Sequence, residues 1–436
     1  MSASGPAQAV ERLMTVGVHD HVTADGTRFY APTGAVRVPA GLQPTVTSVA
    51  GLDNYSRATT EDLRDPKGLS PADASDFYNV NPLHSAGIKG AGQTIYLLEG
   101  DEYGPRALAA YAHKFGLPPF DISVKRDSAN WGDPAPEGST GSETDLDVEI
   151  VHAIAPDAKI VIYFASLNLN DLNNAMAALV HDHPGSIVSV SIGKCESSDV
   201  QPVASQWDSV THAAAASGAS IFVSSGDRGA YGCVGSGDNS ALSASYMSAA
   251  PSVTSVGGTT VFLSATGGYG SEAAWGEPAQ QWGSGGGNST FFKVPTWQTG
   301  PGVHNQYSDG SRQQPDVAAN ADTLSGWDIL GTGTEGPVGG TSAAAPFWAA
   351  ITALIDQDLT QQALATVGFA NPALYRFAQA PSGLPANPFH DITTGNDLYY
   401  PAAPGWDYAT GLGTPDVAAL TDDFEWYAKN PAAHGG

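Results

Sequence analysis

Between residues 93 and 223 the chain alternates short β-branched runs with stretches of helical periodicity, and this alternation constrains the fold more than any other feature. The runs at 93–98, 122–125, 159–164, 186–192 and 220–223 are expected strands. The stretches between them at 106–114, 143–154, 171–181 and 203–217 are expected helices. A helix between successive strands is long enough for a crossover but not for a tight hairpin. The pattern therefore predicts an α/β protein with a parallel sheet and helices on both faces. In such sheets reactive groups gather at the carboxyl ends of the strands.

The flanks differ in character. Residues 16–51 mix short apolar and turn-forming stretches, with strands expected at Phe29-Tyr30 and 46–49, which suggests a small β-rich piece. Residues 58–70 are polar and charged and look like a linker. After an apolar run at 252–256 the chain becomes rich in Gly and Pro, and no internal repeat is visible.

Charge narrows the partners. With 44 Asp and Glu against 18 Lys and Arg the formal net charge is −26, which argues against nucleic-acid or anionic-membrane binding. The acids are spread along the chain, so they read as solvated surface rather than an acidic tail. In acid they neutralise, and the few bases then limit self-repulsion. No apolar run reaches transmembrane length, and residues 1–6 lack the basic and then apolar start of a signal peptide. The two cysteines, Cys195 and Cys233, each follow an expected strand. Adjacent parallel strands would bring them together as a disulfide in an oxidising compartment; two free thiols are the alternative.

The stretch Gly339-Gly340-Thr341-Ser342-Ala343-Ala344-Ala345-Pro346 precedes a run that is apolar nearly all round, as in a buried helix. Ser342 would sit at the helix mouth, where unpaired N–H groups and the helix dipole favour developing negative charge. A plain N-cap serine would also fit there. A nucleophile needs a base and an oxyanion partner. No histidine occurs in a His-Gly-Thr context, and no Gly-x-Ser-x-Gly elbow surrounds Ser342. Glu143 and Asp147, four apart on an expected helix, instead stack on one face. Their repulsion raises one pKa, which suits a carboxylate acting as base in acid. Ser225-Gly226-Asp227 closes the strand before Cys233, where Gly226 permits a tight turn that projects Asp227; an ordinary turn aspartate is the plainer alternative.

Together these pieces resemble the sedolisin family of serine-carboxyl peptidases. The matching features run through most of the chain: Gly92-Gln93-Thr94-Ile95, Glu143-x-x-x-Asp147, Ser225-Gly226-Asp227, Val256-Gly257-Gly258-Thr259-Thr260, Gly285-Gly286-Gly287, Pro315-Asp316-Val317-Ala318 and Gly340-Thr341-Ser342-x-x-x-Pro346. The resemblance implies a subtilisin-like fold with Ser342 as nucleophile and Glu143 as general base. It makes Asp147 the residue that orients Glu143, and Asp227 the oxyanion-hole donor. It also implies a structural Ca²⁺ held by Asp391 and Asp407 with the carbonyls of Ile392, Ala403 and Gly405.

Val38-Pro39-Ala40 and Val49-Ala50-Gly51-Leu52-Asp53-Asn54 resemble the end of the family's prosegment, and Leu69-Ser70-Pro71 the start of the mature enzyme. This gives a short, partial prosegment at 1–57, a processing region at 58–70 and a peptidase domain at 71–436. Glu99 matches a carboxylate that extends the acid network in some members. Two positions depart: Ile192 stands near a place where many members carry Trp, and Arg228 follows Asp227 where some relatives have an acid. The function expected is an acid-active, secreted, monomeric serine peptidase acting on proteins or peptides. It would be an endopeptidase, with tripeptidyl-peptidase action as a variant. A catalytically silent protein-binding member of the same fold is the alternative from another class, and an acid-resistant esterase using the same serine a weaker one.

Overall fold

The computed structural model describes residues 7–22, 28–33, 37–41, 68–138, 142–197, 200–234, 241–331 and 336–431. The chain divides into two compact units, Met1–Leu63 and Arg64–Gly436. The described part of the first unit is a helix, α1 (Ala7–Met14), and an antiparallel hairpin of β1 (Val18–Val22) and β2 (Arg28–Pro32). Phe29-Tyr30 lies in β2 as expected. The strand expected at 46–49, the motif at 49–54 and most of 58–70 fall outside the described residues.

The second unit runs through α2 (Pro71–Phe77), α3 (Asn81–Ser85), β3 (Thr94–Glu99), α4 (Pro105–Phe115), β4 (Asp121–Lys125), α5 (Glu143–Ile154) and β5 (Lys159–Phe164). It continues with α6 (Leu169–Asp182), β6 (Ile187–Val190), α7 (Gln201–Ala216), β7 (Ser220–Ser224), α8 (Tyr246–Ala249), β8 (Thr254–Leu263) and β9 (Tyr269–Ala274). Short antiparallel pairs follow, β10 (Gly276–Glu277) with β11 (Trp282–Gly283) and β12 (Gly287–Lys293) with β13 (Ser311–Gln314). After β14 (Val317–Asn320), β15 (Trp327–Ile329) pairs with β16 (Gly336–Val338). The last elements are α9 (Thr341–Gln361), α10 (Asn371–Ala378), the pair β17 (Phe389–His390) and β18 (Thr414–Pro415), and α11 (Val417–Lys429).

The main sheet has the order β14-β8-β7-β6-β3-β5-β4, all parallel, with β9 added antiparallel to β8. Its two faces are legible in single strands, because successive side chains point to opposite sides. Ile160, Ile162 and Phe164 of β5 join a core with α5 and α9, whereas Val161 and Tyr163 join a second core with α6 and α7. Each expected strand and helix between residues 93 and 224 is present, with ends shifted by at most three residues apart from α5 and β5, which match at both ends. The strand expected at 186–192 is confined to Ile187–Val190, which frees Ser191 to turn out of the ladder.

α9 is the central helix. Ala343, Ala344, Ala345, Ala349, Ala350 and Ala353 are all buried, and such small side chains let a helix lie close against its neighbours. It packs on β6, β7, β8 and β14 and against α5. Phe347, Trp348, Ile351, Leu354 and Ile355 fill the remaining space, each burial contributing roughly 1.5–3 kcal/mol. Trp348 closes its one polar site by donating from Nε1 to the Ala318 carbonyl of β14 at 3.0 Å. The sheet thus holds the start of α9 beside the carboxyl ends of β6 and β7.

Candidate active site

α5 begins at Ser142, which is buried in the left-handed region (φ 66°) with no side-chain cap. A non-glycine residue held there is strained, a feature that concentrates at functional sites. The helix carries Glu143 and Asp147 on one face, and β3 delivers Glu99 beside them. Glu99 and Asp147 are fully buried, while Glu143 keeps some contact with solvent. Glu99 and Asp147 lie within hydrogen-bonding reach of each other. In agreement, each has an oxygen that receives no N–H or O–H donor, as does Glu143. Between two carboxyl groups the missing donor is a shared proton.

Among the described residues no cation pairs with these three acids. Burial is the largest cause holding Glu99 well above the usual carboxylate range, and the charges of Asp147 and Glu143 add to it. Glu143 is raised the same way, first by burial and then by Asp147, while a hydrogen bond with the Ser342 hydroxyl pulls it down. Asp147 is pushed up to about 7 by burial, against hydrogen bonds from Ser191 and Glu99. The set therefore holds fewer negative charges than it has carboxyls.

Ser342 is the second residue of α9, not its cap; the cap position belongs to Gly340, at φ 108°. A Cβ there would stand 2.9 Å from Asp227 Oδ2 in a backbone conformation that side chains rarely adopt, so glycine is required. Pro346 lies four residues after Ser342 and has no N–H, so the Ser342 carbonyl lacks its helical partner. Ser191 Oγ stands in for it at 3.1 Å and also contacts Asp147 Oδ2 at 2.6 Å. Ser191 thereby ties Asp147 of α5 to the backbone of Ser342. The sequence motifs did not single it out; its place at the carboxyl end of an apolar strand was the signal available.

Asp227 follows β7 on the turn that Gly226 permits at φ 111°. Its Oδ1 accepts from Thr341 N at 2.7 Å and Thr341 Oγ1 at 2.8 Å, and Thr341 Oγ1 in turn accepts from Gly226 N at 3.0 Å. Thr341, adjacent to the serine, thus fixes the acid opposite it and leaves Oδ2 free on the cleft side. Burial raises the Asp227 pKa, opposed by the two Thr341 bonds and by Arg228. The expected Ser342, Glu143, Asp147 and Asp227 are therefore gathered in one place.

A cleft of about 670 Å³ opens over these groups, with Ser342, Asp227, Ser191, Trp275 and Trp282 in its wall. Cys195 and Cys233 form a disulfide between the loops that follow β6 and β7, which are parallel neighbours as expected. Cys195 itself lines the cleft.

The expected calcium ligands are a separate group. Asp391 Oδ2 accepts from Gly405 N at 3.0 Å and Asp407 Oδ2 from Ala403 N at 2.9 Å, so both carboxyls converge on 403–405. The carbonyls of Ile392, Ala403 and Gly405 accept no hydrogen bond among the described residues. Burial pushes Asp407 up to about 6. Among the described residues no group of three or more His, Cys, Asp or Glu side chains is placed to hold a metal. Two carboxyls and unused carbonyls are nevertheless the oxygen-only set that suits Ca²⁺. No described helix is long and apolar enough to cross a membrane.

Known proteins share this fold. The subtilase family profile matches residues 137–368. Kumamolisin of Bacillus sp. (strain MN-32) is 35% identical over 445 residues, covering 94% of this chain and 76% of its own length. Sedolisin of Pseudomonas sp. (strain 101) is 28% identical, with 97% of this chain and 74% of that protein covered. Among solved structures, Pseudomonas sedolisin, a serine-carboxyl proteinase complexed with two molecules of pseudo-iodotyrostatin, superposes with a TM-score of 0.72 at 27% identity. The match covers 84% of this chain and 99% of that one. The chain is a serine-carboxyl peptidase and belongs to the sedolisin family.

Proposed function

We propose that the enzyme hydrolyses peptide bonds in acid through an acyl-enzyme on Ser342, and the placement of Ser342 on the cleft with Asp227 held by Thr341 and Asp147 tied to it through Ser191 carries this reading. Glu143, Asp147 and Glu99 share a negative charge that burial and mutual repulsion keep small. The Ser342 hydroxyl favours having that charge on Glu143, and Asp147 and Glu99 hold the protons. Ser342 Oγ attacks the scissile carbonyl carbon while Glu143 takes its proton. Asp227 has Oδ1 engaged by Thr341, so its own proton sits on Oδ2 and is donated to the oxyanion. Collapse breaks the C–N bond, Glu143 returns its proton to the departing amine, and water then repeats the sequence on the ester.

The two roles have opposite needs, since Glu143 must accept a proton and Asp227 must carry one. Activity is therefore expected on a bell in acid, whose acid limb falls as the Glu143–Asp147–Glu99 set loses its charge and whose alkaline limb falls as Asp227 loses its proton. Asp391 and Asp407, with the Ile392, Ala403 and Gly405 carbonyls, would hold a Ca²⁺ that neutralises the converging carboxyls and braces the carboxy-terminal loops. The disulfide favours a secreted enzyme, with 1–57 as a partial prosegment and 58–70 as its processing region.

Ser342→Ala should lower kcat on an unfolded protein substrate at pH 4 by about 10⁶-fold with the melting transition retained. Asp227→Asn should keep part of the activity and extend its alkaline limb, because an amide donates at any pH. Near wild-type turnover by Ser342→Ala, or a wild-type optimum near pH 8, would overturn these roles. The silent-binder alternative predicts no turnover by the wild type.

A further inference from the structure

The chain carries only 18 Lys and Arg in 436 residues, at a net charge of −26, yet two of them line the cleft beside Ser342. Lys194 comes from the loop after β6 and Arg228 from the turn after β7. Apart from Asp227 they are the only charged residues among those described in the cleft wall. Neither side chain ends in a hydrogen bond or an ion pair among the described residues. The nearby Glu196 turns both oxygens to Ser289 Oγ at 2.5 Å and to Thr290 N and Oγ1, and it forms no ion pair with either cation.

Their backbones are held. Tyr246 N donates to the Lys194 carbonyl at 3.0 Å and Tyr231 N to the Arg228 carbonyl at 3.1 Å. The Cys195–Cys233 disulfide links the two loops. Among the described residues of the cleft wall, Asp227, adjacent to Arg228, is the only acid. Building on the mechanism proposed above, however, Asp227 works protonated and carries no charge. A cation there even opposes that role by favouring the ionised form, so Arg228 is poorly explained as a helper of Asp227. What remains is two unpaired cations facing the space a substrate must enter.

From this we infer that Lys194 and Arg228 form a carboxylate-binding subsite, and that the enzyme selects peptides carrying a carboxylate close to the scissile bond. The carboxylate is either an Asp or Glu side chain or the peptide's own carboxy terminus. Arg228 is exposed and Lys194 half-buried, so each contact is worth about what a surface ion pair is, and the two together about three- to tenfold in kcat/KM. A substrate carboxyl titrates near pH 4, so selectivity should shrink as pH falls through about 4.

The test uses a quenched peptide series at pH 4.5, in which Glu is compared with Gln at each position within three residues of the scissile bond. A second series compares free-acid with amidated carboxy termini. The wild type should favour the Glu peptide at one or more positions, or the free acid, by about three- to tenfold. That ratio should fall to about 1 in the Lys194→Gln/Arg228→Gln double variant, fall part-way in each single variant, and weaken in high salt. A response confined to the Glu/Gln series assigns the carboxylate to a side chain, and one confined to the acid/amide series assigns it to the terminus. Equal cleavage of every pair by the wild type, or a ratio untouched in the double variant, would overturn the subsite while leaving the peptidase mechanism standing. If no peptide were cleaved at any pH, the mechanism on which the subsite rests would fall with it.

Discussion

Two buried acidic regions of this enzyme solve one problem in opposite ways. Beside Ser342, Glu99, Asp147 and Glu143 meet without a cation and each leaves an oxygen without a donor. Beneath β13 and β14, Asp316 is equally buried but pairs with Arg312 at 2.5 Å, both side chains being fully enclosed. Asp316 also accepts from Ser255 N at 2.8 Å, Asn371 Nδ2 at 3.2 Å and Tyr375 OH at 2.8 Å. The first region balances its charge with protons and the second with a permanent cation. Protons come and go with pH and can be passed to a substrate, whereas a guanidinium cannot. The first arrangement supports chemistry and the second supports structure.

The sharpest separation should come from replacing one acid in each region. Glu143→Gln removes the proposed base, so kcat should fall by about 10²–10⁴-fold. Stability at pH 4 should be held or slightly raised, because an amide avoids the cost of a buried charge. Asp316→Ala strands the Arg312 guanidinium and should cost about 3–5 kcal/mol, read as a lower denaturant midpoint. If Glu143→Gln proved the more destabilising of the two, the contrast between the regions would fail.

The same distinction extends to pH. Burial raises Glu272 and Asp356 to about 7 and Glu149 to about 8. An acid raised on folding binds its proton more tightly in the native state. Its stabilisation is complete below the unfolded value near 4 and is lost as pH rises through the folded value. Unfolding free energy should therefore decline between about pH 4 and 8, with Glu272 alone contributing about 3 kcal/mol of that decline. Glu272→Gln should flatten the slope of midpoint against pH. A stability that rose from pH 4 to 8 would show that these buried acids do not govern the pH dependence.

The smallest effect expected is that of metal. If Ca²⁺ bridges Asp391 and Asp407, chelation at pH 6 should lower the melting temperature first and activity second, to a degree that tracks free Ca²⁺. Asp391→Ala should have the same effect and abolish the response to the chelator. An identical melting curve with and without chelator would remove the cation from that corner.

Much of this was legible locally. Strand and helix alternate with periods of two and 3.6 residues, and each period is written in neighbouring side chains; hence α5 and β5 could be bounded at both ends. Gly226 and Gly340 take positive φ where the turn motifs require it. The local signal was weaker at the serine, where a small residue before a helix suits either a cap or a nucleophile. Only the observed cap at Gly340, the proline four residues on and the Glu143 contact separate these possibilities.

By itself the sequence determined the α/β class and the shortage of cations, which are properties of short spacings and of composition, and it marked Glu143, Asp147, Asp227 and Ser342 as candidates through the family resemblance. The tertiary structure alone decided that Glu99 meets Asp147, that Ser191 takes the carbonyl Pro346 leaves open, that Cys195 bonds Cys233, and that Lys194 and Arg228 face one cleft. Each of these depends on which strands are neighbours in the sheet. That order, β14-β8-β7-β6-β3-β5-β4, arises from packing around α9, between residues far apart in the chain.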